Sequence, residues 1–257
     1  MSDIRAIPLR GMPLFNADTD LAREVCAAID REGEALGAGD VVVLAQKIVS
    51  KREGRVVPLA EVHPGEGARR IAEQTAREAG MVQLILDESS ELMRTTPAAI
   101  IARHRTGHVL ANAGIDASNV EGGDAGVLLL WPRDPDASAR AIRREIETLT
   151  GVRPGVVIAD SMGRAWRIGT VGTAIGCAGL TVVEDQRGAG RDLFGRVLQA
   201  TQVAIADSVA ALAALAMGEA DEGTPAAIVR GAGRWVSDDD GPGAASGVRP
   251  IAQDMFR

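Results

Sequence analysis

The chain carries 257 residues, 46% of them hydrophobic, with a formal net charge of -7. That is enough apolar sequence to bury a real core in one large domain or two closely joined lobes. The acidic balance, with no basic stripe interleaved with aromatics, argues against a nucleic-acid partner, because affinity for a phosphate backbone comes from clustered Lys and Arg.

Taken in chain order, the N-terminus lacks the charged-then-apolar layout of a signal peptide. No later stretch approaches the ~18 apolar residues of a membrane span, so a cytoplasmic protein with no membrane partner is expected. Apolar residues at helical spacing (Leu21, Val25, Ala28, Ile29) predict a helix within 17–36. It also holds Cys26, which reads with Cys177 as a small hydrophobe rather than half of a disulfide. Residues 40–45 form a short buried-strand pattern, followed by a basic loop over 46–55 with Lys47, Lys51, Arg52 and Arg55. Residues 67–80 read as a helix closed by glycine, and 98–112 as two strands around the Arg105-Thr-Gly107 turn. Residues 126–131 are a further strand. Asp134-Pro135 then supplies a cap and a first-turn proline for a helix running to about Leu149. A strand leads to Asp160, a glycine-rich middle region follows, and 199–217 is the clearest helix, with Val203, Ala206, Val209, Ala210, Ala213 and Leu215 on a broad apolar face. Residues 225–229 form a last strand, and 238–247 a flexible loop. Strands and helices mix without strict alternation, which favours α+β over a doubly wound sheet.

Three acid-bearing segments carry the chemistry. Asn112-Ala-Gly-Ile-Asp116-Ala-Ser-Asn119 joins a carboxylate to small, turn-forming neighbours at a strand's end, where loops on a rigid scaffold hold ligands. Asp160-Ser161 ends a run of apolar residues, and Met217-Gly-Glu219 follows the long helix. Hard divalent ions take oxygen ligands, and nucleotide sites use one or two protein carboxylates while phosphates and water complete the shell. Arg164 and Arg167 add forked donors for phosphate or carboxylate. The plainer alternatives stand beside this. Asp116 and Asp160 could be turn and cap residues, Glu219 a solvated loop acid, and the basic segment a wet face. His63, His104 and His108 lack metal-ligand spacing and receive no role. No Gly-x-x-x-x-Gly-Lys-Ser/Thr loop occurs, and Gly188-Ala-Gly190-Arg-Asp-Leu193 lacks the third glycine of a dinucleotide fingerprint.

Read together, several short motifs occur in one order: Gly11-Met-Pro13, Gln46-Lys-Ile-Val-Ser-Lys51 with Glu53-Gly-Arg55, residues 112–120, Asp134-Pro-Asp-Ala-Ser138, Asp160-Ser-Met-Gly-Arg164, Ala174-Ile-Gly176, Asp192-Leu-Phe-Gly195 and Met217-Gly-Glu219. On these the chain resembles the coenzyme F420-0:L-glutamate ligase family over residues 7–231, in its stand-alone, archaeal-like form. The resemblance implies a two-lobed α+β ligase fold with mixed and antiparallel sheets, residues 1–257 forming one ligase domain, and a homodimer. It implies GTP-dependent addition of L-glutamate to F420-0, and of a γ-linked glutamate to F420-1, through an acyl phosphate. Two Mg2+ or Mn2+ ions per site are expected, one on Asp116 and Asp160 and one on Ser161 and Glu219, with K+ as an optional further ion. The nucleotide-contacting segments would be Met12, Pro13, Leu14 and Phe15; Lys51; Asn119; and Met217, Gly218, Glu219, Ala220, Asp221, Glu222, Gly223 and Thr224. Lys51, Arg164 and Arg167 would act in catalysis. Ala45, Ser161, Phe194 and Ser208 depart from the family's usual Thr, Thr, Tyr and Glu. These changes leave room for the same chemistry on another carboxylate acceptor or amino acid, or for a non-catalytic nucleotide- or metal-binding protein.

Overall fold

Asp20 opens the first helix by accepting the amide of Arg23 on its side chain, at 3.1 Å, so the apolar stripe that begins at Leu21 starts on a capped turn. The computed structural model describes residues 3–254. In chain order the elements are β1 (Arg5–Pro8), α1 (Leu21–Arg31), β2 (Val41–Ala45), α2 (Gln46–Arg52), β3 (Val56–Pro58), α3 (Glu66–Thr75), α4 (Ala79–Asp87), β4 (Ser89–Thr95), β5 (Ile100–His104), β6 (Val109–Ala111) and β7 (Val127–Leu129). They continue with α5 (Pro135–Thr150), β8 (Gly155–Gly163), β9 (Thr170–Ala178), β10 (Val183–Asp185), β11 (Gln202–Ala204), α6 (Ile205–Met217) and β12 (Ala226–Arg230). The architecture is α+β, as the pattern predicts. Helix α5 also begins as expected: Asp134 caps it through the amide of Ala137, and Pro135 occupies the first turn.

The central sheet has the order β1-β12-β2-β8-β9. Its pairs are antiparallel except β2 and β8, which run parallel. One face packs on α1 and α5, with Leu21, Val25, Ile142 and Ile146 against Val42, Leu44, Val156 and Ile158. The other packs on α6, with Ala206, Val209, Ala210 and Ala213 against Val41, Val43 and Val157. A third core, built on Val82, Ile85, Ile100, Leu128 and Leu130, joins α3 and α4 to β5 and β7. Register slips by one residue between Ile158 and Ala159. This bulge puts both Ile175 and Gly176 of β9 on the α1/α5 face. The two glycines of β9 let both helix layers sit close. A Cβ at Gly172 would lie 2.5 Å from Ala210 O of α6, and one at Gly176 2.4 Å from Pro135 O of α5.

Several expectations need correction. The basic loop over 46–55 is a helix through Arg52: Ile48 and Val49 are buried, and no breaker occurs before Gly54. The helix expected over 67–80 ends at Thr75, because Ala76 turns left-handed (φ 51°), and Gly80 lies inside α4. Residues 202–204 form a strand, so the long helix begins at Ile205 rather than near 199, and Leu215 is exposed. Asp160 lies within β8 and not in a loop, and the glycine-rich region after it forms β9. Within residues 238–247 a short 3-10 turn spans Ala244–Gly247, and Arg143 donates to Asp238 O and Asp240 Oδ1. Among the described residues no helix is long and apolar enough to cross a membrane.

Candidate active site

The parallel pairing of β2 with β8 brings Ala45 opposite Ala159, so α2 begins beside Asp160, which continues β8 in its pairing with β9. Loops at the carboxyl ends of parallel strands are the usual ligand positions in such sheets. From α2, the Lys47 ammonium pairs with Asp116 Oδ2, and it donates to Ser118 Oγ at 2.7 Å and Ser118 O at 2.9 Å. One turn later Lys51 donates to Asn119 O at 2.6 Å. Both lysines therefore hold the 112–119 segment, which enters through a 3-10 turn (Asn112–Gly114) and is fixed at Asp116 by a two-way backbone bridge to Leu129.

Alternation along β8 points consecutive side chains to opposite faces. Asp160 turns toward the α1/α5 layer, where the buried Trp131 donates Nε1–H to its Oδ2 at 2.8 Å. Ser161 turns toward α6 and donates its hydroxyl to Glu219 Oε2 at 2.5 Å, just beyond that helix's C-terminus. Glu222 accepts the Ala220 amide at 2.8 Å, and Ala220 O accepts from Asn119 Nδ2 at 3.0 Å. The contacts close a ring: Lys47 to Asp116, Lys51 to Asn119, Asn119 to the 217–224 loop, Glu219 to Ser161, and Asp160 through Trp131 back toward Gly114. At Gly114, where φ is 74°, an added Cβ would lie 2.4 Å from the indole nitrogen.

The two aspartates differ in environment. Burial alone would raise the Asp116 carboxyl, but the Lys47 ammonium and both Ser118 donors outweigh it and hold the group below the usual carboxylate value. Burial pushes Asp160 up to about 6, against the donors Trp131 and Ser161 N–H, with Lys47 lowering it and Asp116 raising it further. The facing negative group and the enclosed position leave this carboxylate short of positive charge. Lys51 is lowered by burial and by the neighbouring Lys47 charge.

Of the residues singled out in the sequence, the ring joins Asp116, Asp160, Ser161, Glu219, Lys51, Asn119, Ala220 and Glu222. Met12, Pro13, Leu14 and Phe15 follow β1 at the same sheet end, where Leu9 N bonds Ala226 O and Ala45 N bonds Pro225 O. Leu14 is exposed, whereas Phe15 is buried in the α1/α5 core. Arg164 and Arg167 lie exposed on the β8–β9 turn, and neither guanidinium has a hydrogen bond or ion pair among the described residues. Among the described residues no three His, Cys, Asp or Glu side chains form a cage for a metal ion. Lys47 and Trp131 were not singled out. Lys47 stood only as one charge of a basic run, and Trp131 only as the end of a strand.

Fold and contacts together define an α+β protein in which amine and carboxylate side chains gather at the carboxyl end of its parallel strand pair. The chain belongs to the F420-0:Gamma-glutamyl ligase family, whose model matches residues 11–231. It is 46% identical to the coenzyme F420:L-glutamate ligase of Methanothermobacter thermautotrophicus over 99% of both chains. The protein of the same name from Methanopyrus kandleri is 43% identical over 90% of both chains, and that from Methanocaldococcus jannaschii 44% over 85% of both.

Proposed function

We propose that this chain, working as one ligase domain over residues 1–257, is a GTP-dependent amide ligase that joins L-glutamate to the carboxylate of F420-0 and a γ-linked glutamate to F420-1. Family membership and the names of its relatives support the reading. The observation that carries it is the ring of contacts joining Asp116, Asp160, Ser161 and Glu219 to Lys47, Lys51 and the 217–224 loop. Such a cluster offers hard oxygens and ammonium groups together, which is what a triphosphate with divalent ions requires.

Amide formation from a carboxylate needs a better leaving group than hydroxide. Transfer of the γ-phosphoryl group of GTP to the acceptor carboxylate gives an acyl phosphate and GDP. The glutamate amine, as the free base, then attacks the carbonyl carbon, the C–N bond forms, and the C–O bond to phosphate breaks with loss of inorganic phosphate. The donor set fits two Mg2+ or Mn2+ ions, with K+ as an accessory: Asp116 and Asp160 would hold one, and Ser161 and Glu219 the other. When bound, these ions neutralise phosphate charge as the acyl phosphate forms. The fit is physical, since the Asp160 carboxyl, raised to about 6 by burial, gains its ionised form when a cation comes near. Lys51 balances phosphate charge, and Met12 to Phe15, Asn119 and the 217–224 loop hold the nucleotide. Arg164 and Arg167, with free guanidinium groups, orient the carboxylate of glutamate or acceptor.

A homodimer completes the proposal. Trp166 and Ile168 on the β8–β9 turn, and Leu193 and Phe194 between β10 and β11, are 89%, 102%, 101% and 83% exposed, which suits a surface covered by a second copy. Light scattering is expected to give twice the chain mass, and Trp166→Glu with Phe194→Glu to give the single-chain mass. Incubation with F420-0, GTP, Mn2+ and L-glutamate is expected to add a glutamyl mass to F420-0 and release GDP. Absence of that product, with turnover on another carboxylate acceptor, would replace the acceptor and keep the chemistry. No turnover on any acceptor would overturn the ligase reading.

A further inference from the structure

Trp131 is the largest fully buried side chain, yet it is built into the site by more than packing. Its Nε1–H is donated to Asp160 Oδ2 at 2.8 Å. The same nitrogen edge lies against Gly114, two residues before Asp116, where any side chain would collide with it. One rigid ring therefore touches the carboxylate on β8 and the segment that carries the facing carboxylate.

The indole is itself gripped from behind. His104 lies against it with ring centroids 4.8 Å apart, and His108 meets it edge-on at 5.5 Å. Both histidines are buried, and Thr106 ties them together, its Oγ1 lying 2.9 Å from each Nδ1. The Thr106 amide donates to His104 Nδ1 at 3.2 Å. That nitrogen therefore carries the lone pair, and the ring proton sits on Nε2, 3.4 Å from Glu88 Oε2. Arg55 donates to Glu88 Oε1 at 2.7 Å and to Trp131 O at 2.8 Å, and Arg105 donates to Glu88 Oε2 at 3.2 Å. Side chain and backbone of the tryptophan are thus fixed by one connected polar cluster. A core position that needed only volume would take Phe or Leu without this apparatus.

We infer that Trp131 is a positioning residue for the cation site, setting the separation and orientation of Asp160 relative to Asp116, with His104, Thr106, His108 and Glu88 holding the indole in place. The assignment rests on the proposed role of those two aspartates. It goes beyond that role in giving the site an outer shell. A donor to the outer face of a metal-binding carboxylate fixes which lone pairs face the ion, and loss of such a partner costs about 10–100-fold in metal affinity.

The test uses the full chain and reads Mn2+ binding by electron paramagnetic resonance, with and without GTP, beside urea unfolding. Parent protein is expected to bind Mn2+, Asp160→Asn to lose the ion assigned to Asp116 and Asp160, and Trp131→Phe to weaken that ion's binding about 10–100-fold. Ile146→Val, a buried change in the α1/α5 core, is expected to lower stability and leave Mn2+ affinity unchanged. Replacement of Trp131 by its benzothienyl analogue keeps the ring shape and removes only the N–H, so it reports even if Trp131→Phe fails to fold. The same weakening is expected. A Mn2+ affinity within about twofold of parent for the benzothienyl protein, with Asp160→Asn still defective, overturns the role of Trp131 and leaves the metal reading intact. Parent protein that fails to bind Mn2+ in either state overturns the metal reading and this assignment with it.

Discussion

Neutralising Asp160 should uncover a pH dependence that the parent protein hides. His108 is driven down by burial, from 6.5 to about 4. Its folded value is depressed, so its stabilisation is full above the unfolded value and is lost as pH falls toward 4. Asp160 is raised by burial, from 3.8 to about 6. Its contribution has the opposite sense: it is full below 3.8 and is lost as pH rises through 6. Between about pH 7 and about pH 4.5, linkage gives a loss of roughly 2 kcal/mol from His108 and an opposing gain of similar size from Asp160. In Asp160→Asn only the loss remains. The variant should be up to about 3 kcal/mol more stable than parent near pH 7 in metal-free buffer, and should forfeit about 2 kcal/mol more than parent on acidification. Urea unfolding of both proteins in chelator at the two pH values measures this directly. Glu88 and His104 titrate alike in both and drop out of the difference. Equal pH dependence in the two proteins, within about 0.5 kcal/mol, would refute the opposed titrations.

Three further outcomes follow from the same geometry. Gly114→Ala places a methyl against the Trp131 indole nitrogen at a left-handed backbone position, and should cost about 2–4 kcal/mol in urea unfolding. Arg143 is fully buried and donates to Pro154 O, Ser237 O, Asp238 O and Asp240 Oδ1. Arg143→Met should therefore lower stability by about 3–5 kcal/mol, and melting temperature reads the loss. Mn2+ binding near pH 6 should release about half a proton per chain, because Asp160 is then half protonated, and almost none near pH 7.5; titration calorimetry in buffers of different ionisation enthalpy counts them.

Much of the fold was legible because the signals were local. Asp134-Pro135 marked the start of α5 through cap chemistry, and the apolar run of 40–45 marked a strand buried on both faces. What failed was local in form but decided by distant contacts. Residues 46–52 look like a basic loop until Ile48 and Val49 are seen to face a core. Residues 67–80 look like one helix until Ala76 takes a left-handed turn that no glycine announces. The acids of the site were legible as residues standing in turn-rich or strand-end sequence. Their partners were not. Lys47 meets Asp116 across 69 positions, Ser161 meets Glu219 across 58, and Trp131 meets Asp160 across 29. The bridge of Asp116 to Leu129, the end of α6 and the β2–β8 pairing together make them neighbours. His104 and His108 had no metal-ligand spacing, and that spacing gave no hint that both would press on one indole.

The irregular register beside Asp160 gives β9 one residue, Ile175, more than its ladder with β8 uses. Deleting Ile175 would leave Gly176 opposite Ile158 and Ala174 opposite Ala159, so Thr170 to Ala174 would keep their faces and Gly172 would stay against α6. The strand can therefore lose that one position at the cost of a single buried side chain, without turning the rest of its length over.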